Sequence, residues 1–167
     1  MYSASAALHD DWGMLIPINR TPSATEMGSL LKNISKPEPE TFIADNELQI
    51  YRVIQKIRSL QNWGENWDGA GAAAINQVSI ASAVALIRNM YVVARQIDIE
   101  WLEPNVTASP HGEVVLEWWN NTKKLTVYVN EEQLDFIKVW GPDIDHEMED
   151  GQVSEENTAH LLAWLEV

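Results

Sequence analysis

Three features of the amino-acid order predict an α+β fold, with helices packed on one face of an antiparallel sheet. Apolar residues recur at helical spacing from Asn46 to Gln61 and again from Gln77 to about Gln96. After Glu103-Pro104 the apolar period shifts to two, over several short runs separated by turn residues. Helical spacing then returns in Leu161, Leu162 and Leu165. Two helices, a meander of three or four strands and a closing helix form an order in which the sheet has helices on one side only.

The 167 residues suit one domain, 47–167, preceded by an arm, 1–46. The arm holds Pro17, Pro22, Pro37 and Pro39 and no sustained period of either kind. His9 to Ile16 reads as a short anchored segment, Thr25 to Asn33 as a helical turn or two, and Lys36 to Glu40 as an extended lead into the folded part. Asp45 is the expected N-cap of the first helix, which carries Leu48, Tyr51, Ile54, Ile57 and Leu60 on one side. Asn62 to Ile75 connects it to a second helix capped by Asn76, with Val78, Ala81, Ala85, Ile87 or Leu86, Met90 and Val93 on the expected buried side. Its several alanines favour close packing.

In the meander, Val106 and Ala108 mark a short first strand and Pro110-His111-Gly112 a turn. Glu113 to Trp119 and Leu125 to Asn130 form a hairpin around Asn120 to Lys123, and Leu134 to Trp140 follows. An acidic loop runs from Gly141 to Gly151, and Ser154 opens the last helix with Asn157 where a full capping box has Glu or Gln. Trp118 and Trp119 are adjacent on one strand, so their side chains point to opposite sides of the sheet. One joins the core, and the other faces solvent, the arm or a partner.

Composition excludes several chemistries. The chain has no cysteine, hence no disulfide, thiol nucleophile, zinc-thiolate site or iron–sulfur cluster. No basic-then-apolar leader opens the sequence and no run approaches the ~18 apolar residues of a membrane helix. A cytoplasmic protein is expected. The formal charge is −14, and residues 131–167 alone carry eleven acids against one Lys, a net of −10. Such a field opposes phosphate backbones and anionic membranes and favours a basic protein partner.

The segment Asn66-Trp67-Asp68-Gly69-Ala70-Gly71-Ala72 stands out for its Trp, carboxylate and two glycines between helices. Gly69 to Ala74 formally matches the dinucleotide fingerprint, yet that motif follows a parallel strand and has an acid about 20 positions on, and both are missing here. The alternating acids Asp143, Asp145, Glu147 and Glu149 suggest a Ca²⁺ loop but lack its Gly at position 6 and Glu at position 12. His9, His111, His146 and His160 fall in no motif with a nucleophile. Asp68 and Glu117 are the best pair for acid–base work, each beside a Trp whose burial would raise its pKa. The expected reading is otherwise: Asp68 bonds loop amides, and Glu117 lies on the strand face opposite Leu116, paired to a loop amide or Arg.

Asn66-Trp67-Asp68-Gly69-x-Gly71-Ala72, an Ala-rich helix and Pro110-His-Gly112-Glu-Val-Val-Leu116-Glu117-Trp118 together resemble a set of small bacterial proteins. Those proteins carry an N-W-D-x-x-G-A loop followed by a d-G-x-x-x-E-W strand. The resemblance covers about residues 47–140. It implies a bacterial, mobile-element or phage origin and brings no activity, cofactor or catalytic residue.

The function expected from these observations is a non-enzymatic, cofactor-free and metal-free acidic protein that inhibits or neutralises a basic partner, of antitoxin, immunity or anti-defence type. Its partner-binding residues would be Trp118, Trp119, Asp143, Asp145, Glu147, Glu149, Asp150, Glu155 and Glu156, while Asn66, Trp67, Asp68, Gly69 and Gly71 shape the loop. The alternatives are an assembly subunit docking through its arm, and a ligand-binding module or enzyme with a pocket walled by Trp67 and Trp118.

Overall fold

The computed structural model describes residues 39–131 and 133–167; the anchored segment and helical turn expected before residue 39 lie outside the described residues. The compact unit is Pro39–Val167. Helix α1 spans Pro39–Ser59 and tightens into a 3₁₀ turn, Leu60–Asn62. Helix α2 spans Gln77–Gln96, strands β1 to β5 span Asn105–Ala108, Val114–Asn120, Lys123–Val129, Leu134–Val139 and Met148–Gln152, and helix α3 spans Glu155–Glu166. The five strands form one antiparallel sheet in sequential order. The fold is α+β, with five strands where three or four are expected.

The fifth strand is the part of the acidic loop that pairs with β4, from Val139↔Met148 to Asp135↔Gln152. Its sequence, Met-Glu-Asp-Gly-Gln, is built from residues poor in β-propensity. Main-chain pairing to an edge already in place outweighs that preference. Gly151 faces Phe136 across this pair, and a Cβ there would lie 3.0 Å from the Phe136 ring.

The first helix begins before the expected Asp45 cap, so residues 39–46, read as part of the arm, are helical. Pro39 accounts for this: at the first helical position its fixed φ is already helical and its missing N–H goes unused. Ile50, Val53, Ile54, Ile57 and Leu60 face the core, as expected of Ile54, Ile57 and Leu60, while Leu48 and Tyr51, expected on the same side, are exposed. In α2 the second half agrees with the expectation, Leu86, Ile87 and Met90 being buried, whereas in the first half Ile80, Ala83 and Val84 are buried and Val78, Ala81 and Ala85 are exposed. This helix is apolar nearly all round, so periodicity alone does not select its inner face. By length and composition α2 is apolar enough to cross a membrane, contrary to the sequence expectation, but half of it is buried within this fold.

Asn76 caps α2, its side chain accepting from the Val78 N–H at 2.7 Å. Ser154 and Asn157 form a reciprocal capping box on α3: Ser154 Oγ accepts from the Asn157 N–H and Asn157 Oδ1 from the Ser154 N–H. The shorter Asn side chain thus does the work of Glu or Gln. At the other end of α3, Asn120 Nδ2 and Lys123 Nζ donate to the Leu165 and Trp164 carbonyls at 2.9 and 2.8 Å. These two donors from the β2–β3 hairpin satisfy carbonyls that a helix end leaves open.

Strand register divides the sheet into two faces. Val114, Leu116 and Trp118 of β2, Leu125, Val127 and Val129 of β3 and Phe136 of β4 point to the helices and are buried. Trp118 is 1% exposed and donates its indole N–H to the Leu102 carbonyl at 3.0 Å. Trp119, on the opposite face, is 62% exposed.

Candidate functional site

The polar groups of the Asn66–Ala72 loop are turned inward on their own backbone. Asn66 has a left-handed φ of 59°, and its side-chain oxygen accepts from the Gly71 N–H at 2.8 Å. Asp68 Oδ1 accepts from the Ala70 and Ala72 N–H groups at 2.8 and 3.0 Å. Gly69 and Gly71 supply further positive φ values of 74° and 96°. Trp67 stacks on Trp63 with ring centroids 4.6 Å apart and donates to the Ala73 carbonyl at 3.2 Å.

Beyond the loop, the Ala73 N–H bonds to the Pro110 carbonyl at 2.9 Å, and Gly112 sits so close that a Cβ would lie 2.7 Å from the Ala74 oxygen. This junction ties the loop to the β1–β2 turn.

The hydrogen bonds to Ala70 and Ala72 hold the Asp68 carboxyl below its ordinary range, against a smaller opposing desolvation. This is the expected bonding of Asp68 to loop amides, and it lowers the pKa where the acid–base alternative needs it raised. Glu117 belongs to a different set of contacts. Its carboxylate pairs with Lys124 at 2.5 Å and accepts from Asn105 Nδ2 at 3.5 Å, in place of the expected loop amide or Arg. The two carboxylates share no recorded hydrogen bond or common partner.

Lys124 also lies over the Trp119 ring, 4.7 Å from its centroid. One end of the outer face is thus a compact set of Asn105, Glu117, Lys124 and Trp119.

The other end differs. An open concavity of about 490 Å³ lies across β3, β4 and β5, with Tyr128, Ile137 and Met148 as its apolar lining and Glu113, Asp135 and Asp150 as its carboxylates. Glu113 accepts from Ser109 Oγ at 2.7 Å and Asp135 from Gln133 Nε2 at 2.8 Å. None of the three has a cationic partner among the described residues.

The remaining acids are unequal. Glu147 folds back on Gly141, accepts from the Asp143 N–H at 2.8 Å and so shapes its own turn. Asp143 contacts His146 Nδ1 at 3.0 Å, and Glu149 pairs with Lys138 at 2.7 Å. Asp145, Asp150, Glu155 and Glu156 are exposed and make no ion pair among the described residues. Glu155 and Glu156 stand in the first turn of α3, where the helix dipole favours them. Among the described residues no three His, Asp or Glu side chains converge as a metal site.

Sequence reasoning singled out Asp150 but missed Glu113, Tyr128, Asp135, Ile137 and Met148. The period of two along each strand was the available signal. It required the register to show which residues of different strands share a face. Neither a family model, nor a curated protein, nor a solved structure matches the chain.

Proposed function

We propose that this protein is a non-enzymatic acidic binding module that neutralises a basic protein partner, and that the partner engages the outer face of the sheet at β3–β5. The observation that carries this reading is the concavity in which Glu113, Asp135 and Asp150 surround Tyr128, Ile137 and Met148. Carboxylates without cations next to an aromatic ring suit a guanidinium, which stacks on the ring and hydrogen-bonds a carboxylate in two places. The surrounding charge adds steering: residues 131–167 carry a net of −10, a field that raises the association rate with a basic surface and is screened by salt.

A non-enzymatic role is favoured by Asp68 and Glu117 each being occupied by partners of its own, loop amides for one and Lys124 for the other. The loop also resists a phosphate-binding role, since Asp68 and Asn66 already accept from the Ala70, Gly71 and Ala72 amides that would cradle an anion. Antitoxin, immunity and anti-defence proteins are the classes this binding mode fits.

The test is affinity capture from a bacterial lysate with the wild-type protein and with Asp135→Lys/Asp150→Lys. A basic protein should be retained by the wild type, released as salt rises and not retained by the double variant. Retention that ignores both salt and charge reversal would overturn the reading.

A further inference from the structure

The two edges of the sheet are not alike. Strand β1 lies beside α1, and Lys56 of α1 pairs with Glu103 just before the strand at 2.6 Å. Strand β5 packs chiefly against β4, and its residues are exposed apart from the half-buried Gly151.

The direction of its main-chain groups follows from the register. The Val153 N–H donates to the Leu134 carbonyl at 2.7 Å and the Trp140 N–H to the Glu147 carbonyl at 3.0 Å, and both are pairs of directly opposed residues. In an antiparallel ladder, hydrogen-bonded and non-hydrogen-bonded pairs alternate. Residues 147, 149, 151 and 153 therefore turn their main-chain groups toward β4, and Met148, Asp150 and Gln152 turn theirs outward. The Gln152 carbonyl is taken by Asn157 Nδ2 at 2.8 Å. Among the described residues, no loop or side-chain group bonds the N–H or carbonyl of Met148 or Asp150.

An unpaired edge recruits another strand unless something prevents it. Here the side chains select the recruit. Asp150 projects onto the outer face from the middle of the edge, Asp143 and Asp145 lie before it in the chain, and Glu155 and Glu156 follow. Two copies meeting edge to edge would bring these acids together, and like charges across a strand pair are unfavourable. A basic strand meets no such barrier.

The geometry points to strand addition at β5: the partner supplies an extended basic segment that hydrogen-bonds to Met148 and Asp150 and places an Arg or Lys opposite Asp150. This inference rests on the basic-partner reading and specifies how the partner is held. Main-chain bonding supplies affinity without sequence, and side chains at alternate positions supply selection. On the outer face, the residue opposite Asp150 would be basic and the one opposite Met148 apolar. The added strand would extend the concavity's floor and bring its Arg or Lys toward Asp135 and Asp150.

The probe is a synthetic peptide that alternates Arg and Val on one face with Thr on the other. It is made in three forms, unmodified and N-methylated on either alternate set of amides, and titrated into the full chain with amide exchange as the readout. The unmodified peptide should bind and slow exchange at Met148 and Asp150. Methylating the set that faces β5 should weaken binding by about tenfold or more, the loss of one or two net hydrogen bonds, while methylating the other set should not. Met148→Pro removes one outward N–H without changing charge and should weaken the same peptide, with thermal unfolding confirming that the variant is folded.

Equal binding by both methylated forms, or binding without protection of Met148 and Asp150, would overturn strand addition and leave the basic-partner reading standing. So would failure of the peptide alongside salt-sensitive capture of a basic protein. Failure of both the peptide and the capture would remove both.

Discussion

The Asn66–Ala72 loop and the β3–β5 concavity both present carboxylates beside aromatic rings, yet they stand in opposite chemical situations. In the loop, Asp68 and Asn66 accept from three backbone amides, and Trp67 donates to Ala73 while stacking on Trp63. In the concavity, Glu113, Asp135 and Asp150 make no ion pair among the described residues, and Tyr128 is half-buried. The loop has the more unusual sequence. The concavity has the more available chemistry. Unusual composition in a short segment therefore marks a demanding backbone shape as readily as a binding site, and the two are told apart by whether the carboxylates are held by backbone amides or stand without a charged partner.

The comparison is broken most severely at the loop's anchor. Gly112→Ala places a Cβ 2.7 Å from the Ala74 oxygen at a φ of +84°, and a non-glycine residue in such a conformation costs about 1–3 kcal/mol. Urea unfolding should show a loss in that range; an unchanged midpoint would mean that the junction does not hold the loop to the sheet.

Asp68→Asn should destabilise less, and its pH dependence identifies the cause. Asp68 has a folded-state pKa below its unfolded value, so its carboxylate contributes stability above the ordinary carboxylate range and loses it as pH falls through the lowered value. The gap between wild type and Asp68→Asn should be present at neutral pH and close in acid. A gap independent of pH would assign the effect to shape and not to charge.

The concavity should respond in the reverse sense. Asp135→Asn and Asp150→Asn should each change stability by no more than about 0.5 kcal/mol, as expected of surface groups with no ion pair, while reducing capture of a basic partner. A large stability loss would mean that these carboxylates are structural, like Asp68. Trp119→Ala should have the smallest effect on unfolding, since the ring is 62% exposed and its recorded ring contact is the Lys124 ammonium. If it melted the fold as a buried Trp would, the division of the sheet into an inner and an outer face would be wrong.

Much of the architecture was legible because local chemistry and tertiary structure agree. Asn76 reads as a cap and is one; Asn120 to Lys123 reads as a hairpin, and Asn121 there takes the left-handed φ of 54° that such a turn needs. Trp118 and Trp119 diverge because adjacent strand residues must. Other features were hidden for identifiable reasons. Met148–Gln152 carries almost no β-propensity, and pairing with β4 makes it a strand. The first helix starts at Pro39, where the sequence signal weighted the carboxylate at Asp45 over the proline. The inner faces of α1 and α2 were legible in part: Ile54, Ile57, Leu60, Ile87 and Met90 are buried as expected, while Leu48, Tyr51 and Val78 are exposed because Ile50, Val53 and Ile80 take the inner positions.

By itself, the sequence determined the α+β class, the order of all elements but the fifth strand, the Asn76 cap, the β2–β3 hairpin, the concentration of acid in residues 131–167 and the absence of thiol chemistry. Those properties depend on composition and on neighbours a few residues apart. Only the tertiary structure decided that Glu117 pairs with Lys124, that Glu113, Tyr128, Asp135 and Asp150 share one concavity, and that Met148 and Asp150 turn their main chain outward. Strand register settles all three, because a shift of one residue would send every one of these groups to the other side.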